Sequence, residues 1–452
     1  MSPKDYAEYI ESQKNYLARN AQLFEIYQGD LLKYVKQIML ESLSPEYFSK
    51  IKSRIYPINI LKRVIDKLAQ TYRTDPQRSA TSNDDILSFY EQSFALNVKM
   101  NQADEFSQLF KGYALEPFVH EGVPKLRTIP YDRFLVQSTD IVDPLNMTHF
   151  YKYIGKQYKS DRYGKKKDMD IWFVYTDETF EAIYEDGTYC KEFMFDANTG
   201  EPLNGENPLG FIPFHYGNRS SFKILPVQDT DTLELAKLLP VQISDLAGSI
   251  LFQCFSIIFG VDVDAENMKM SPNAFWSLKS DPASEKNPQV GTIKPQVDVE
   301  QVMGFIKDTF STWMETKGIR VGSIGSLQGS NAASGISKII DEMDTFEARN
   351  KSMKSFMTDE YGFWQLTKKM HNYWVANNMV EGWPLLPENW EVFTEFDTPR
   401  PMVDRREEVD VAVLERDNSV ISQRSMIKKL YPNWSEQEID NELAEIESEG
   451  RV

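Results

Sequence analysis

The sequence predicts an α+β fold, mostly helical with one β-rich region. Three observations carry that expectation. Apolar residues recur in steps of three and four through most of the first hundred residues, and again over about 229–258, 301–318 and 336–374, which is the spacing of one helix face. From about Lys111 to Asn218 the pattern changes to short aromatic and β-branched runs between turn residues, as in antiparallel strands. Two of the helical stretches flank a breaker-rich insert of about 40 residues.

In chain order, Tyr16, Leu17, Leu23, Phe24 and Tyr27 mark a helix that Gly29 stops. After Pro57, residues Ile60, Leu61, Val64, Ile65 and Leu68 form one stripe, with Lys62, Arg63 and Lys67 opposite, and Pro76 closes the unit. Ser82–Asp85 starts a further helix holding Phe89, Phe94 and Leu96. Strands are expected at Arg127–Ile129, Phe134–Val136, Ile171–Tyr175 and Phe180–Tyr184, with turns at Asp186-Gly187 and Thr199-Gly200. Between two strands, Lys159, Arg162, Lys165, Lys166 and Lys167 form the most basic patch of the chain. This reads as a solvated hairpin tip, or as a contact for an acidic partner or DNA phosphate.

Leu233, Leu235, Leu238, Leu239, Ile243, Leu246 and Ile250 define the next helix, where Pro240 fits near the start or at a kink. It leads into the near-apolar run Leu246–Val261, broken by Gly248, Ser249, Gln253 and Ser256. That run is shorter than the about 20 residues of a membrane span, so a buried or subunit-covered helix is expected and no membrane partner. Pro272, Pro282, Pro288, Gly291 and Pro295, with a strand-like Phe275–Leu278, make the insert. Val302, Phe305, Ile306, Phe310, Trp313 and Met314 then form a helix stripe, with Lys307, Asp308 and Glu315 facing away. It ends at Lys317-Gly318, a cation in the last turn followed by a capping glycine.

Val321–Gly335 is rich in Gly, Ser and Ala and free of proline, a mobile composition. Ser334 or Ser337 can cap the long helix that follows, whose stripe runs from Ile336 to about Trp374. At 1.5 Å per residue it would reach about 57 Å if straight. Gly362 marks a bend, and a helix of that length needs a partner along it. Trp383-Pro384 ends it, and Trp390–Phe396 reads as a strand. A terminal helical pair is expected at about Asp404–Lys429 and Ser435–Ser448, the second opened by the capping box Ser435–Glu438.

The composition narrows function. Of 452 residues, 50 are Lys or Arg and 68 Asp or Glu, a net charge of −18. With 41% hydrophobic and 13% aromatic residues the chain buries a core and is not disordered. The acidity argues against a protein that coats nucleic acid or anionic membrane, yet leaves room for one that handles DNA without gripping it. Cys190 and Cys254 cannot build a disulfide framework and fit a reducing compartment. Met1–Tyr6 is polar, so no signal peptide is expected, and the sequons at Asn146, Asn218 and Asn433 read as chance matches. There is no G-x-x-x-x-G-K-[ST] loop, no G-x-S-x-G elbow and no H-E-x-x-H among His120, His149, His215 and His371. Nothing local asks for an enzyme, a metal or a cofactor, and none is expected.

The order of parts resembles the portal proteins of tailed bacteriophages and related viruses. The resemblance lies in Phe24–Gly29 followed by Pro57–Asp66, and in a β-rich region closing on Asn207–Phe214. Next come two helices around a small insert, and a Gly/Ser loop before Ala333–Lys338 and a very long helix. Asn418–Arg424 is similar to the family's helix-joining segment. It implies a homo-oligomeric ring, usually a dodecamer, at one capsid vertex, with double-stranded DNA passing through its centre without sequence readout. On that pattern residues 1–228 are the helical then β-rich wing. Residues 229–258 and 301–318 are stem helices around a small α/β clip at 259–300. Residues 319–335 are the channel loop, 336–400 the kinked long helix and strand that complete the wing, and 401–452 a crown shorter than in larger members.

The resemblance also implies the sites. Lys317 and Arg320 at the loop base, and Gln328, Ser330 and Asn331 near its tip, would meet DNA, while capping of the preceding helix is a compatible role for the two cations. Trp276, Lys279, Lys286 and Lys294 would form the docking surface of the clip. The partners implied are the major capsid protein, the terminase large subunit, and then head-tail adaptor or tail proteins. The location is the virion, after assembly in the host cytoplasm. The alternative is another non-enzymatic head-tail adaptor or minor capsid protein.

Overall fold

The computed structural model describes residues 1–160, 166–194, 205–220, 222–227, 229–254, 257–261, 289–293, 298–319, 335–380, 382–397, 405–418, 420–431, 434 and 436–449. It mixes helices with small antiparallel sheets, as an α+β reading requires. Two compact units emerge, Met1–Thr312 with Met353–Phe396, and Trp313–Ser352 with Asp397–Val452.

The first unit opens with α1 (Pro3–Ser12) and α2 (Lys14–Gln28). Ser2 and Asp5 form a reciprocal capping box on α1. Gly29, at φ 116°, closes α2 as its sequence position predicts. Then come α3 (Leu31–Ser42), α4 (Pro45–Ile51), α5 (Ile60–Leu68), β1 (Gln77–Ala80), α6 (Asp84–Ser93) and α7 (Leu96–Phe110). The α5 stripe is buried at Leu61, Val64 and Ile65. Two details depart from the sequence reading. Residues 77–80 form a strand inside a region read as helical, and Ala95 at φ 47° splits one expected helix into α6 and α7.

Strands β2 (Gly112–His120) and β3 (Val123–Ile129) follow, then β4 (Phe134–Gln137), β5 (His149–Ser160), β6 (Lys166–Tyr175), β7 (Phe180–Tyr184) and β8 (His215–Asn218). They make a β3-β2-β8 sheet and a β4-β5-β6-β7 sheet, all antiparallel. Every expected strand in this region lies in one of them. The turn expected at Thr199-Gly200 lies outside the described residues. Tyr6 and Ile10 of α1 bury against Leu135, Tyr151, Trp172 and Ile183 of the second sheet. In the first sheet Gly217 faces Tyr113, and a Cβ on Gly217 would lie 2.4 Å from the phenol ring.

Next come α8 (Thr230–Cys254), β9 (Ile257–Val261), β10 (Gln289–Ile293) and α9 (Val299–Thr316). The apolar run read as one helix is divided, its β-branched end Ile257–Val261 pairing with β10. The strand-like Phe275–Leu278 lies outside the described residues. α10 (Gly335–Ala376) is one helix of 42 residues, about 63 Å at 1.5 Å per residue. Of the two serines expected to cap it, Ser337 lies inside the helix, and Ser334 with the preceding loop lies outside the described residues. Gly362, expected at a bend, packs close to another element, since a Cβ there would meet His215 Cε1 at 3.0 Å. β11 (Val392–Glu395) pairs with β1 in a two-stranded sheet.

A buried polar knot holds β1, β11 and α10 together. Arg78 Nε and Nη2 donate to the two carboxylate oxygens of Glu360 at 2.7 and 2.9 Å. Tyr72 and Thr394 hydroxyls donate to the same carboxylate, each at 2.6 Å. Arg78 Nη1 reaches Glu91 and Asn97. The Arg78 and Glu360 side chains are 1% and 0% exposed. Burial first, then the charge of Glu360, raises the Tyr72 phenol well above its ordinary pKa, so it remains a donor.

In the second unit, α11 (Arg405–Asp417), α12 (Gln423–Leu430) and α13 (Glu436–Glu449) replace the expected pair. The helix expected over 404–429 is interrupted because Ser422 takes an extended conformation and accepts from Ser425 N–H, starting a new helix. The capping box at Ser435 lies outside the described residues. Ala412, Ile427, Leu430 and Ile439 are buried, and Lys429 pairs with Glu415 at 2.5 Å.

Two stability measurements test this packing. Glu360→Leu, which leaves Arg78 Nε and Nη2 unpaired in the core with only Glu91 as counter-charge, should lower the denaturant-derived stability by about 3 kcal/mol, and Arg78→Met with Glu360→Leu should recover most of that. Gly217→Ala should cost about 1–3 kcal/mol through the Tyr113 clash. Gly304→Ala, in α9 with nothing within 4 Å of the new Cβ, should stabilise by about 0.4–1 kcal/mol.

Candidate functional site

α8 and α9 pack through one stripe, Leu239 and Leu246 against Ile306, with Ile243, Val299 and Phe310 alongside. Helical spacing sets which side chains this stripe can take. Val302 and Phe305 stand one turn apart on the flank of α9 and stay 36% and 62% exposed, although the sequence places both in the buried stripe. Leu238 and Ile250 of α8 are 43% and 40% exposed. The helix pair therefore presents aliphatic and aromatic surface to solvent.

A groove of about 590 Å³ lies beside α8, lined by Met39, Leu43, Ile55, Ala247 and Gly248, with Arg54 at its edge. Leu40, Tyr56 and Ile58 nearby in the chain are exposed. Backbone N–H of Tyr56 donates to Ser244 Oγ at 3.1 Å, which fixes the strand-like segment after α4 against α8. A second groove, of about 530 Å³, is lined by Phe118, Phe173, Phe180 and Trp374, with Glu116 and Glu192 among its polar groups. The sequence signals neither groove, since their walls come from segments about 200 and about 250 residues apart.

The end of α9 has the predicted form. Gly318 adopts φ +71°, its N–H donates to Glu315 carbonyl at 2.9 Å and the N–H of Ile319 to Met314 carbonyl at 3.0 Å. These are the paired bonds of a Schellman cap, with Met314 and Ile319 both buried. The Lys317 ammonium lies 6.0 Å from the Trp313 ring centroid, so the cation sits at the negative end of the helix dipole. Arg320, Gln328, Ser330 and Asn331 of the loop, and Trp276, Lys279, Lys286 and Lys294 of the insert, lie outside the described residues.

The basic patch is a β5–β6 hairpin, with Lys159 opposite Lys167 and Ser160 opposite Lys166. Arg162 and Lys165 lie outside the described residues. Lys167 is exposed and lies 3.6 Å from Glu185, and Lys156 lies 4.0 Å from Asp170. Acidic neighbours thus offset part of the positive charge along the strands.

The histidines serve structure. His371 Nδ1 accepts from Tyr90 hydroxyl at 2.7 Å while its Nε2–H donates to Pro384 carbonyl at 2.8 Å, the arrangement of the neutral ring, because a carbonyl can only accept. Burial lowers the pKa of His149, His215 and His371. His120 is exposed beside Glu121. Among the described residues no three His, Cys, Asp or Glu side chains gather as a metal site, and no helix is long and apolar enough to cross a membrane. No family model matches the chain, and a search of curated proteins returns no match.

The three buried histidines set the sign of a pH effect. Their folded pKa lies below the ordinary value of 6.5, so the unfolded chain binds more protons just below that pH and stability falls there. Unfolding midpoints should drop from pH 7.5 to 5.5, and His371→Gln should flatten the slope. A midpoint that rises over this range would contradict the assignment.

Proposed function

We propose that this chain is the subunit of a DNA-conducting ring, a portal protein of a tailed virus. The observation that carries the reading is the helix pair α8 and α9, joined through β9 and β10 and leaving Val302, Phe305, Leu238 and Ile250 in water. Apolar surface on both members of a helix pair marks an interface. In a closed ring each copy meets its neighbours head to tail, so the two flanks would be covered from both sides. The order of parts supports the same reading, with a β-rich region before the pair and the 42-residue α10 after it.

Charge fits the proposed task. Each copy carries −18, and an acidic wall repels phosphate over a Debye length of about 8 Å at physiological salt. DNA then slides without the affinity that counterion release gives basic proteins. On this reading Lys317, Arg320, Gln328, Ser330 and Asn331 supply sparse contacts in the channel, and 259–300 docks the terminase large subunit and later the adaptor or tail. The ring sits within the major capsid protein at one vertex of the virion.

Phe305→Asp tests it. Its surface position predicts a change in subunit stability within about 0.5 kcal/mol, while ring abundance in native mass spectrometry should fall at least tenfold. Wild-type protein that remains monomeric or dimeric under all conditions, capsid co-expression included, would defeat the reading.

A further inference from the structure

The segment from the end of α4 through α5 is basic in an acidic chain. Between residues 50 and 73, seven Lys and Arg stand against the single carboxylate of Asp66, a net +6, so the rest of the chain carries −24. Elsewhere cations sit beside carboxylates, as Lys33 beside Glu25, Lys152 and Arg127 beside Glu116, and Lys167 beside Glu185. In this segment they do not. Among the described residues Lys52, Arg54, Lys62, Arg63, Lys67 and Arg73 make no ion pair. Asp245 shares the α8 groove with Arg54 without pairing to it. The scaffold beneath the patch is fixed. Asn59 donates to Ile26 carbonyl at 2.6 Å and accepts from Lys62 N–H at 3.3 Å, Tyr56 N–H donates to Ser244 Oγ at 3.1 Å, and Leu61, Val64 and Ile65 bury the inner face of α5.

We infer that this patch binds the phosphate backbone of double-stranded nucleic acid, without reading its sequence. A duplex carries one negative charge per about 1.7 Å of its axis, a line of anions that spaced cations meet together. Arg54 and Lys62 are eight residues apart. That span is at most about 29 Å of chain, less than the about 34 Å of one duplex turn. Ser53 and Tyr56 are exposed within the patch, and their hydroxyls are donors of the kind that accompany Lys and Arg on phosphate. A membrane surface fits less well, because the apolar stripe of α5 is already buried in the core and has nothing to insert. A folded acidic protein also fits less well, since its carboxylates are interspersed with cations and offer no such line of charge. The patch is a local exception to the acidity that repels phosphate elsewhere on the chain, and it does not depend on the ring reading.

Fluorescence anisotropy of the full chain with a labelled duplex of about three turns tests the assignment. The patch variant combines Lys52→Gln, Arg54→Gln, Lys62→Gln and Arg63→Gln. All four positions are exposed, so unfolding midpoints should match wild type. Over about 50–200 mM salt the wild-type affinity should fall steeply, and in the variant the log–log slope should flatten by about 3–4, with affinity at the lowest salt down at least about tenfold. Lys156→Gln with Lys167→Gln, in the hairpin whose cations lie beside carboxylates, should leave binding unchanged, and duplexes of different sequence should bind alike. A wild-type chain that does not bind the duplex, or a patch variant that keeps the wild-type slope, would overturn the assignment. So would poly-glutamate or anionic lipid vesicles bound through the same four cations more tightly than the duplex, which would give the patch to an acidic protein or to a membrane. Native mass spectrometry of the same samples reads assembly separately. Rings without duplex binding would overturn the patch alone, and duplex binding by a chain that never assembles would overturn the ring reading alone.

Discussion

The Arg78–Glu360 pair is the constraint on which the first unit is organised. The two residues are 282 positions apart in sequence and almost wholly without solvent. Two charges in such a place are stable only when every polar atom is satisfied, and here Tyr72, Thr394, Glu91 and Asn97 complete the set. The requirement fixes positions more tightly than apolar packing does. It places β1 beside β11 and sets the rotation of α10. That rotation in turn aims Phe356, Phe363, Trp364 and Trp374 into the core.

Around this knot the core is aromatic. Tyr113 stacks on Phe356 with ring centroids 5.7 Å apart, Phe150 on Phe214 at 4.0 Å, and Trp364 meets Trp390 edge-on at 6.1 Å. Such rings need small neighbours where backbone passes close, which is why Gly217 faces Tyr113 and Gly362 faces His215. The same economy of space explains the buried histidines. They are planar and carry one donor and one acceptor when neutral, and His371 uses both, to Tyr90 hydroxyl and Pro384 carbonyl.

The surface has a different logic from the core. The loop at Asp140–Thr148 is tied by its own hydrogen bonds yet displays Ile141 and Val142, and the helix pair α8 and α9 shows apolar flanks. A monomer gains nothing from either. The proposed ring would gain from covering apolar flanks, since area removed from water stabilises by about 25 cal/mol per Å² before the entropy of association is subtracted. In the proposed ring, the strong net charge would keep chains apart until such patches meet in register, so acidity and exposed apolar surface would together favour specific association over aggregation.

The sequence by itself determined the local elements. Gly29 and the Lys317-Gly318 cap end helices where expected, the runs at 171–175 and 180–184 are strands, and the long stripe from Ile336 is one helix. Those features depend on backbone preferences and periodicity, which operate over a few residues. Of the candidate site, the Lys317 cap and the two strands that flank the basic patch were legible for the same reason, while the strands run further into the patch than the sequence reading placed them, with Lys159 paired to Lys167. Tertiary structure alone decided the rest. Gln77–Ala80 is a strand because β11 lies beside it, some 300 residues on, and no local signal carries that. Phe305 shares the periodicity of Ile306 and Phe310 yet lies in water, because α8 covers only the central stripe of α9. Ile141 and Val142 look like any short aliphatic pair in a turn-rich segment. The loop that carries them is tied by the hydrogen bonds of Asp140, and among the described residues both side chains stay exposed.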